Sequence, residues 1–273
     1  MIRIVSDSSI ALTQGEAQKL NIQIVPMNYT VDGSSYLDHY VDTIEGYDKI
    51  KSGKLPMSTS QPSVEAFSEV FNELLSSGDE ILCFCISSRL SGTFSSAMLA
   101  AKETDAVKIR VVDTLAATAA LRFLVQHAQE LIKKGKSLDE VYAATEKKRN
   151  MVGTAFSVEN MEPLKRSGRL GFIRQSVSTI LNIRPILEFK NGTLEAVGFM
   201  RGKRNQLEKL IERVPQSAKN ITVQHLGNEP TAKELALLVA QKFPHIKFPS
   251  IAAVGPVLAI HLGIPAIGLA WTV

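Results

Sequence analysis

The sequence predicts an α/β protein of two domains, and three observations carry that expectation. Short runs rich in β-branched residues alternate with longer runs of helical periodicity, the signature of parallel strands covered by helices. The length, 273 residues, lies between one large domain and two ordinary ones. The strand-and-helix alternation closes at Asn150 and restarts at Val152. Residues 1–150 are therefore expected to form a three-layer domain around a parallel sheet, and residues 151–273 a smaller domain with a mixed sheet.

Taken in order, IRIV after the first residue reads as a strand that ends in the polar loop Ser6-Asp7-Ser8-Ser9. Thr13 and Glu16 have the spacing of a helix capping box, and IQIVPMNY follows as one strand. Val31-Asp32-Gly33 marks a turn, residues 43–52 a short helix, and residues 55–62 a loop of Ser, Thr and Pro. Pro62 and Ser63 open a helix with Val64, Phe67, Val70, Phe71, Leu74 and Leu75 at helical spacing. A strand from Glu80 to Ile86, the loop Ser87 to Thr93, an Ala-rich helix, the strand IRVVD at 109–113 and two helices complete the first half.

The second half opens with a strand from Val152. A helical stretch then holds the basic run Lys165-Arg166-Ser167-Gly168-Arg169, and a second helix ends near Asn182. RPILEF and TLEAVGF flank Asn191-Gly192, the strongest short hairpin signal in the chain. Helix 203–214, strand 221–225, helix 231–243 and strand 250–254 lead into the apolar run GPVLAIHLGIPAIGLAW.

Several function classes are excluded on composition and motif. No apolar run reaches the roughly 18 residues a membrane-spanning helix needs, and MIRIVSDSS lacks a secretory pattern, so a cytoplasmic protein is expected. The net charge of +4 suits an anionic ligand, an acidic partner or a transient membrane contact, and is too mild for nucleic acid. With neither a phosphate-binding loop nor a dinucleotide fingerprint, a self-sufficient kinase is excluded. Five His and two Cys form no ligand spacing, so neither a structural nor a catalytic metal is expected. Cys83 and Cys85 sit two apart on a strand and read as small buried apolar residues on one face.

What remains is a set of hydroxyl-bearing loops at strand ends: 6–9, 58–63 and 87–93. The ligand crevice of an open α/β sheet lies outside the carboxyl ends of its strands, so these loops are expected to converge there. Ser91-Gly92-Thr93 adds a helix amino terminus, which favours a carboxylate or phosphate. Taken singly, each hydroxyl is a cap or turn residue. His261, among apolar neighbours, reads alone as a core histidine, and Arg201, before Lys203 and Arg204, as a solvated strand end.

Six motifs in order give these residues a context. SDSS at 6–9, TSQPS at 59–63, SSRLSGT at 87–93, LKRSGRL at 164–170, LNIRPIL at 181–187 and GPVLAIHLG at 255–263 together make a chain that resembles the DegV family, which includes the fatty-acid-binding subunits of bacterial fatty acid kinase. The resemblance implies two α/β domains with a long-chain fatty acid held between them and no cofactor. It implies that Thr59 and Ser91 hydrogen-bond the carboxylate, helped by backbone N–H groups at Gly92-Thr93, with His261 beside the head group. It places Arg201, and with it Arg169 of the basic motif, at the phosphorylated form or the partner kinase subunit. That partner would supply the nucleotide and metal and make an acyl phosphate, so this chain would be a carrier without catalytic residues of its own. The family's H-x-G-P-G-A pattern is altered here to His261-Leu262-Gly263-Ile264-Pro265-Ala266, so a different backbone path after His261 is expected; Ser167 replaces a usual Gly.

Two other readings stay open at this level. One is an acyl hydrolase with Ser91 as nucleophile, His261 as base and Asp7 orienting it, although Ser91 lies in no G-x-S-x-G elbow. The other is a lipid-responsive signalling module that docks through Lys165, Arg166, Arg169, Arg201, Lys203 and Arg204.

Overall fold

The computed structural model describes residues 1–45, 47–169 and 183–273. The expected helix ending near Asn182 lies outside the described residues, as do Leu170 and Leu181-Asn182 of two motifs.

Four strands, β1 (Ile2–Asp7), β2 (Ile22–Val25), β6 (Glu80–Cys85) and β7 (Ile109–Asp113), form a wholly parallel sheet in the order β2-β1-β6-β7. Its strands read as continuous apolar runs because both faces are covered. Along β6, Ile81, Cys83 and Cys85 point into a core with Phe67, Phe71 and Leu74 of α3 (Val64–Ser76) and Ala97 of α4 (Thr93–Thr104). Leu82 and Phe84 point the other way, onto Leu121 and Leu124 of α5 (Thr118–Lys133) and Val141 of α6 (Leu138–Lys148). The three layers and the buried thiols follow the expected pattern. Burial pushes the Cys85 thiol well above its ordinary range, which keeps it protonated.

The segment IQIVPMNY departs from expectation, because it is two strands rather than one. Pro26 cannot donate to a ladder, so β2 ends before it and β3 (Met27–Val31) leaves for a separate antiparallel sheet of order β4-β3-β5. Asp32 and Gly33, at φ 52° and 76°, turn β3 into β4 (Ser34–Asp38). The Ser/Thr stretch expected to be a loop supplies β5 (Met57–Ser60), which pairs with β3 so that Thr59 lies opposite Tyr29. Helix α2 covers only Tyr47–Ser52 of the expected 43–52.

The second half builds a mixed sheet of order β10-β9-β8-β13-β11-β12 from β8 (Val152–Val158), β9 (Ile183–Lys190), β10 (Thr193–Arg201), β11 (Asn220–Leu226), β12 (Ser250–Ala253) and β13 (Ala266–Thr272). Only β11 and β12 run parallel. Helices α8 (Lys203–Arg213) and α9 (Glu229–Lys242) bury one face through Leu207, Leu210, Leu235 and Val239. On the opposite face, Phe156, Leu187 and Leu226 meet Val257 and Ile260 of α10 (Pro256–Leu262), Leu164 of α7 (Glu162–Ser167), and Met27, Tyr29 and Ile86 from the first half. This shared core joins the two halves and contains the site. No helix among the described residues is long and apolar enough to cross a membrane.

Candidate functional site

A cavity of about 340 Å³ opens inside that shared core. Its size lies within the range of small-molecule sites. Apolar side chains, including Ile86, Leu90, Phe156, Phe189, Leu226 and Leu258, make most of its wall, and Thr59, Ser91, Gly92, Arg169 and His261 interrupt it.

The antiparallel pairing of β5 with β3 brings Thr59 against α10, where Thr59 Oγ1 lies 2.7 Å from His261 Nε2. Burial, and secondarily the nearby Arg169 guanidinium, push the His261 pKa down to about 4. The ring is therefore neutral near pH 7. Arg169 is the cation of the cavity lining: its Nε donates to Leu90 O at 3.4 Å, next to Ser91 in the chain, while its side chain remains exposed. Gly263 at φ 77° ends α10 two residues after His261, and the altered sequence there leaves the Thr59–His261 contact in place.

Ser91 and Thr93 share a hydroxyl contact of 2.8 Å, and the Thr93 N–H donates to Ser91 Oγ at 3.3 Å. Thr93 is fully buried and does not line the cavity, so it orients Ser91 rather than facing a ligand. Gly92 lies against Gln61: a Cβ on it would stand 2.0 Å from Gln61 Oε1, and Gln61 Nε2 donates to Ser96 Oγ at 2.8 Å. The TSQPS and SSRLSGT segments thus interlock through a side chain that sequence reasoning passed over. The signal for Gln61 lay in the motif itself, which places a polar amide between two hydroxyls and a proline.

The third hydroxyl loop does not reach the cavity. Asp7 is fully buried and accepts from Ser9 N at 2.8 Å and Ile86 N at 2.6 Å, while Ser8 Oγ accepts from Met27 N at 3.1 Å. These bonds tie β1 to the chain that forms the cavity wall. Arg201 sits exposed at the end of β10, outside the cavity lining. Of the other basic residues, Lys165, Lys203 and Arg204 pair with Glu162, Glu234 and Glu208 at 3.8, 2.6 and 2.9 Å, the behaviour of a solvated face.

None of the contacts a hydrolytic triad requires is made. Ser91 is engaged with Thr93, His261 with Thr59, and Asp7 with backbone N–H groups; buried His261 Nδ1 has no partner among the described residues. Nor do three or more His, Cys, Asp or Glu among those residues form a group able to hold a metal.

The Asn191-Gly192 turn, between the cavity-lining Phe189 and Leu194, docks the second half on the first. Both turn residues have positive φ, 50° and 82°, and Ser87 Oγ donates to Gly192 O at 2.7 Å. A Cβ on Gly192 would lie 2.5 Å from that same oxygen. Gly192→Val is expected to lower the melting temperature by several degrees, through strain and loss of the Ser87 bond worth about 1–3 kcal/mol. A thermal melt unchanged from wild type would contradict this account.

A largely apolar cavity whose wall also carries hydroxyls, an imidazole and a guanidinium, between the sheets of the two halves, is the architecture of a small-molecule binding protein. The chain belongs to the DegV family: the family model described as "Uncharacterised protein, DegV family" matches residues 1–273. A DegV domain-containing protein of Clostridium acetobutylicum is 32% identical over 280 residues, covering 99% of this chain and 97% of the relative. The structure of a DegV family protein from Thermus thermophilus, described as binding fatty acid, is similar with a TM-score of 0.88 and 33% identity, covering 100% of this chain and 99% of that one. A DegV lipid-binding protein from Thermotoga maritima has a TM-score of 0.89 and 29% identity, covering 99% and 98%.

Proposed function

We propose that this chain binds one long-chain fatty acid, with the carboxylate at Thr59, Ser91 and Arg169 and the tail along the apolar wall. The observation that carries this reading is the Thr59–His261 pair set beside Ser91 and Arg169 in an otherwise apolar cavity. Burying an alkyl tail contributes about 0.8 kcal/mol per methylene, so a dozen methylenes contribute on the order of 10 kcal/mol before binding costs. A carboxylate drawn in with the tail is unfavourable unless hydrogen-bonded or paired. A neutral His261 that donates from Nε2 to Thr59 leaves the Thr59 hydroxyl hydrogen free for that carboxylate. Ser91 and the Gly92 N–H add donors, and Arg169 adds the charge.

On this reading the chain is a carrier rather than an enzyme. It presents the fatty acid to a kinase catalytic subunit that makes the acyl phosphate, and the cavity shields that mixed anhydride from water. Arg201, exposed and outside the cavity, is assigned to the phosphorylated form or to the kinase. The chain acts in the cytoplasm, with residues 1–150 supplying the carboxylate loops and 151–273 most of the tail contacts. Native mass spectrometry of the protein as purified, and after addition of stearate or oleate, tests the central claim. A bound fatty acid is expected in at least one case. A clean unliganded mass in all of them would overturn it.

A further inference from the structure

Away from Thr59 and His261, the same cavity carries a second group of polar atoms. Helix α5 begins against its wall with Ala117 as N-cap, a residue with no side-chain acceptor for the first-turn N–H groups. The Ala119 N–H donates to Gln224 Oε1 at 3.0 Å. The N–H groups of Thr118 and Ala120 have no partner among the described residues, although both residues are buried. Thr118 also holds φ at 56°, a strained value for a β-branched residue and one that persists where surroundings over-determine it.

Thr154 supplies an independent observation. It lies on β8 opposite Ala270, is 5% exposed, lines the cavity, and its Oγ1 has no partner among the described residues. Gln224 lies opposite Gly268, two positions from Ala270 along β13, so Thr154 and Gln224 rise from the same sheet face toward the start of α5. Arg169, the one cation among the described lining residues, belongs to the Thr59–His261 group. The second group therefore offers neutral donors and two hydroxyls, that of Thr118 committed to Ala117 O at 2.8 Å and that of Thr154 without a partner among the described residues, with the neighbouring His225 also on the wall.

We propose that this group is a subsite for a hydroxyl carried on the acyl chain away from the carboxylate, so that the cavity selects hydroxylated fatty acids over plain ones. The proposal rests on the fatty-acid reading above. An alkyl tail alone leaves Thr154 Oγ1 and the α5 N–H groups unpaired, whereas a ligand hydroxyl accepts from an N–H and donates to Thr154. Sites built to bond a hydroxyl discriminate strongly against the analogue that lacks it, because their own buried groups then go unpaired.

The test is titration calorimetry of stearate, 10-hydroxystearate and 12-hydroxystearate against the wild-type chain and Thr154→Val. At least one hydroxystearate is expected to bind the wild type about tenfold or more tighter than stearate. In Thr154→Val, whose side chain offers methyl in place of hydroxyl, stearate is expected to tighten and that hydroxystearate to weaken, so the preference collapses. Stearate binding by the variant shows that it folds. Equal affinities in the wild type, as a trapped water at Thr154 would produce, overturn the subsite and leave the fatty-acid reading intact, as does a preference that survives Thr154→Val. Failure of all three acids to bind the wild type overturns both.

Discussion

Thr59→Val is expected to weaken stearate binding by roughly 10- to 150-fold, the largest single-residue effect on affinity expected in the cavity. The substitution is close to isosteric, so the wall of the cavity keeps its shape and the loss is electrostatic. A hydrogen bond to a charged acceptor contributes about 1.5–3 kcal/mol, and the carboxylate loses one. The change also strands His261. Its Nδ1 already has no partner among the described residues, and Nε2 bonds only Thr59, so both nitrogens of a largely buried ring would be unpaired. Titration with stearate and with methyl stearate separates these contributions: the ester presents no anion and is expected to lose less. A change of under threefold for stearate would refute the head-group assignment. An equal loss for both ligands would point to collapse of the cavity instead.

Thr59 shows how a residue is legible in sequence while its setting is not. TSQPS and SSRLSGT identified Thr59 and Ser91, yet the stretch around Thr59 reads as loop, because its alternation of half-buried Met57 and Thr59 with exposed Ser58 and Ser60 carries almost no hydrophobic contrast. Only the register against β3, itself released from the parallel sheet at Pro26, makes it a strand. Asn191-Gly192 was legible in full, since the turn depends on local φ alone, but its docking on Ser87 is a contact across 105 positions. The charge state of His261 is not legible in sequence for the same reason: it depends on burial and on Arg169, which are tertiary facts. Thr154 and Gln224 gave no signal at all, because isolated polar residues in strands are common and only the sheet order sets them against α5. Local chemistry is written in motifs, whereas long-range electrostatics appears only after folding.

Asp7 and Asp38 are expected to make the stability of the fold pH-dependent, with opposite responses to the same substitution. Burial, outweighing hydrogen bonds, raises Asp7 to about 6. Burial also raises Asp38 to about 7, reinforced by Asp7 and offset only in part by the Val257 N–H at 3.4 Å. A carboxyl whose folded pKa exceeds its unfolded value binds more protons when folded, so it stabilises at low pH and that contribution is lost as pH rises through 6 to 7. Stability is therefore expected to increase as pH falls from 8 to 6.5. Below that the half-buried His127, His225 and His261, all lowered from 6.5, oppose it, because the unfolded chain takes up those protons. Asp38→Asn mimics the protonated acid. By denaturant unfolding it is expected to stabilise the protein at pH 8 on the order of 2 kcal/mol or more, and to have little effect at pH 5. Asp7→Asn is expected to destabilise at both pH values by about 1–3 kcal/mol, since its two oxygens accept from Ser9 and Ile86 N–H groups and an amide can satisfy only one. An Asp38→Asn variant less stable than wild type at pH 8 would show that the Val257 bond at the start of α10 outweighs the cost of burying the charge.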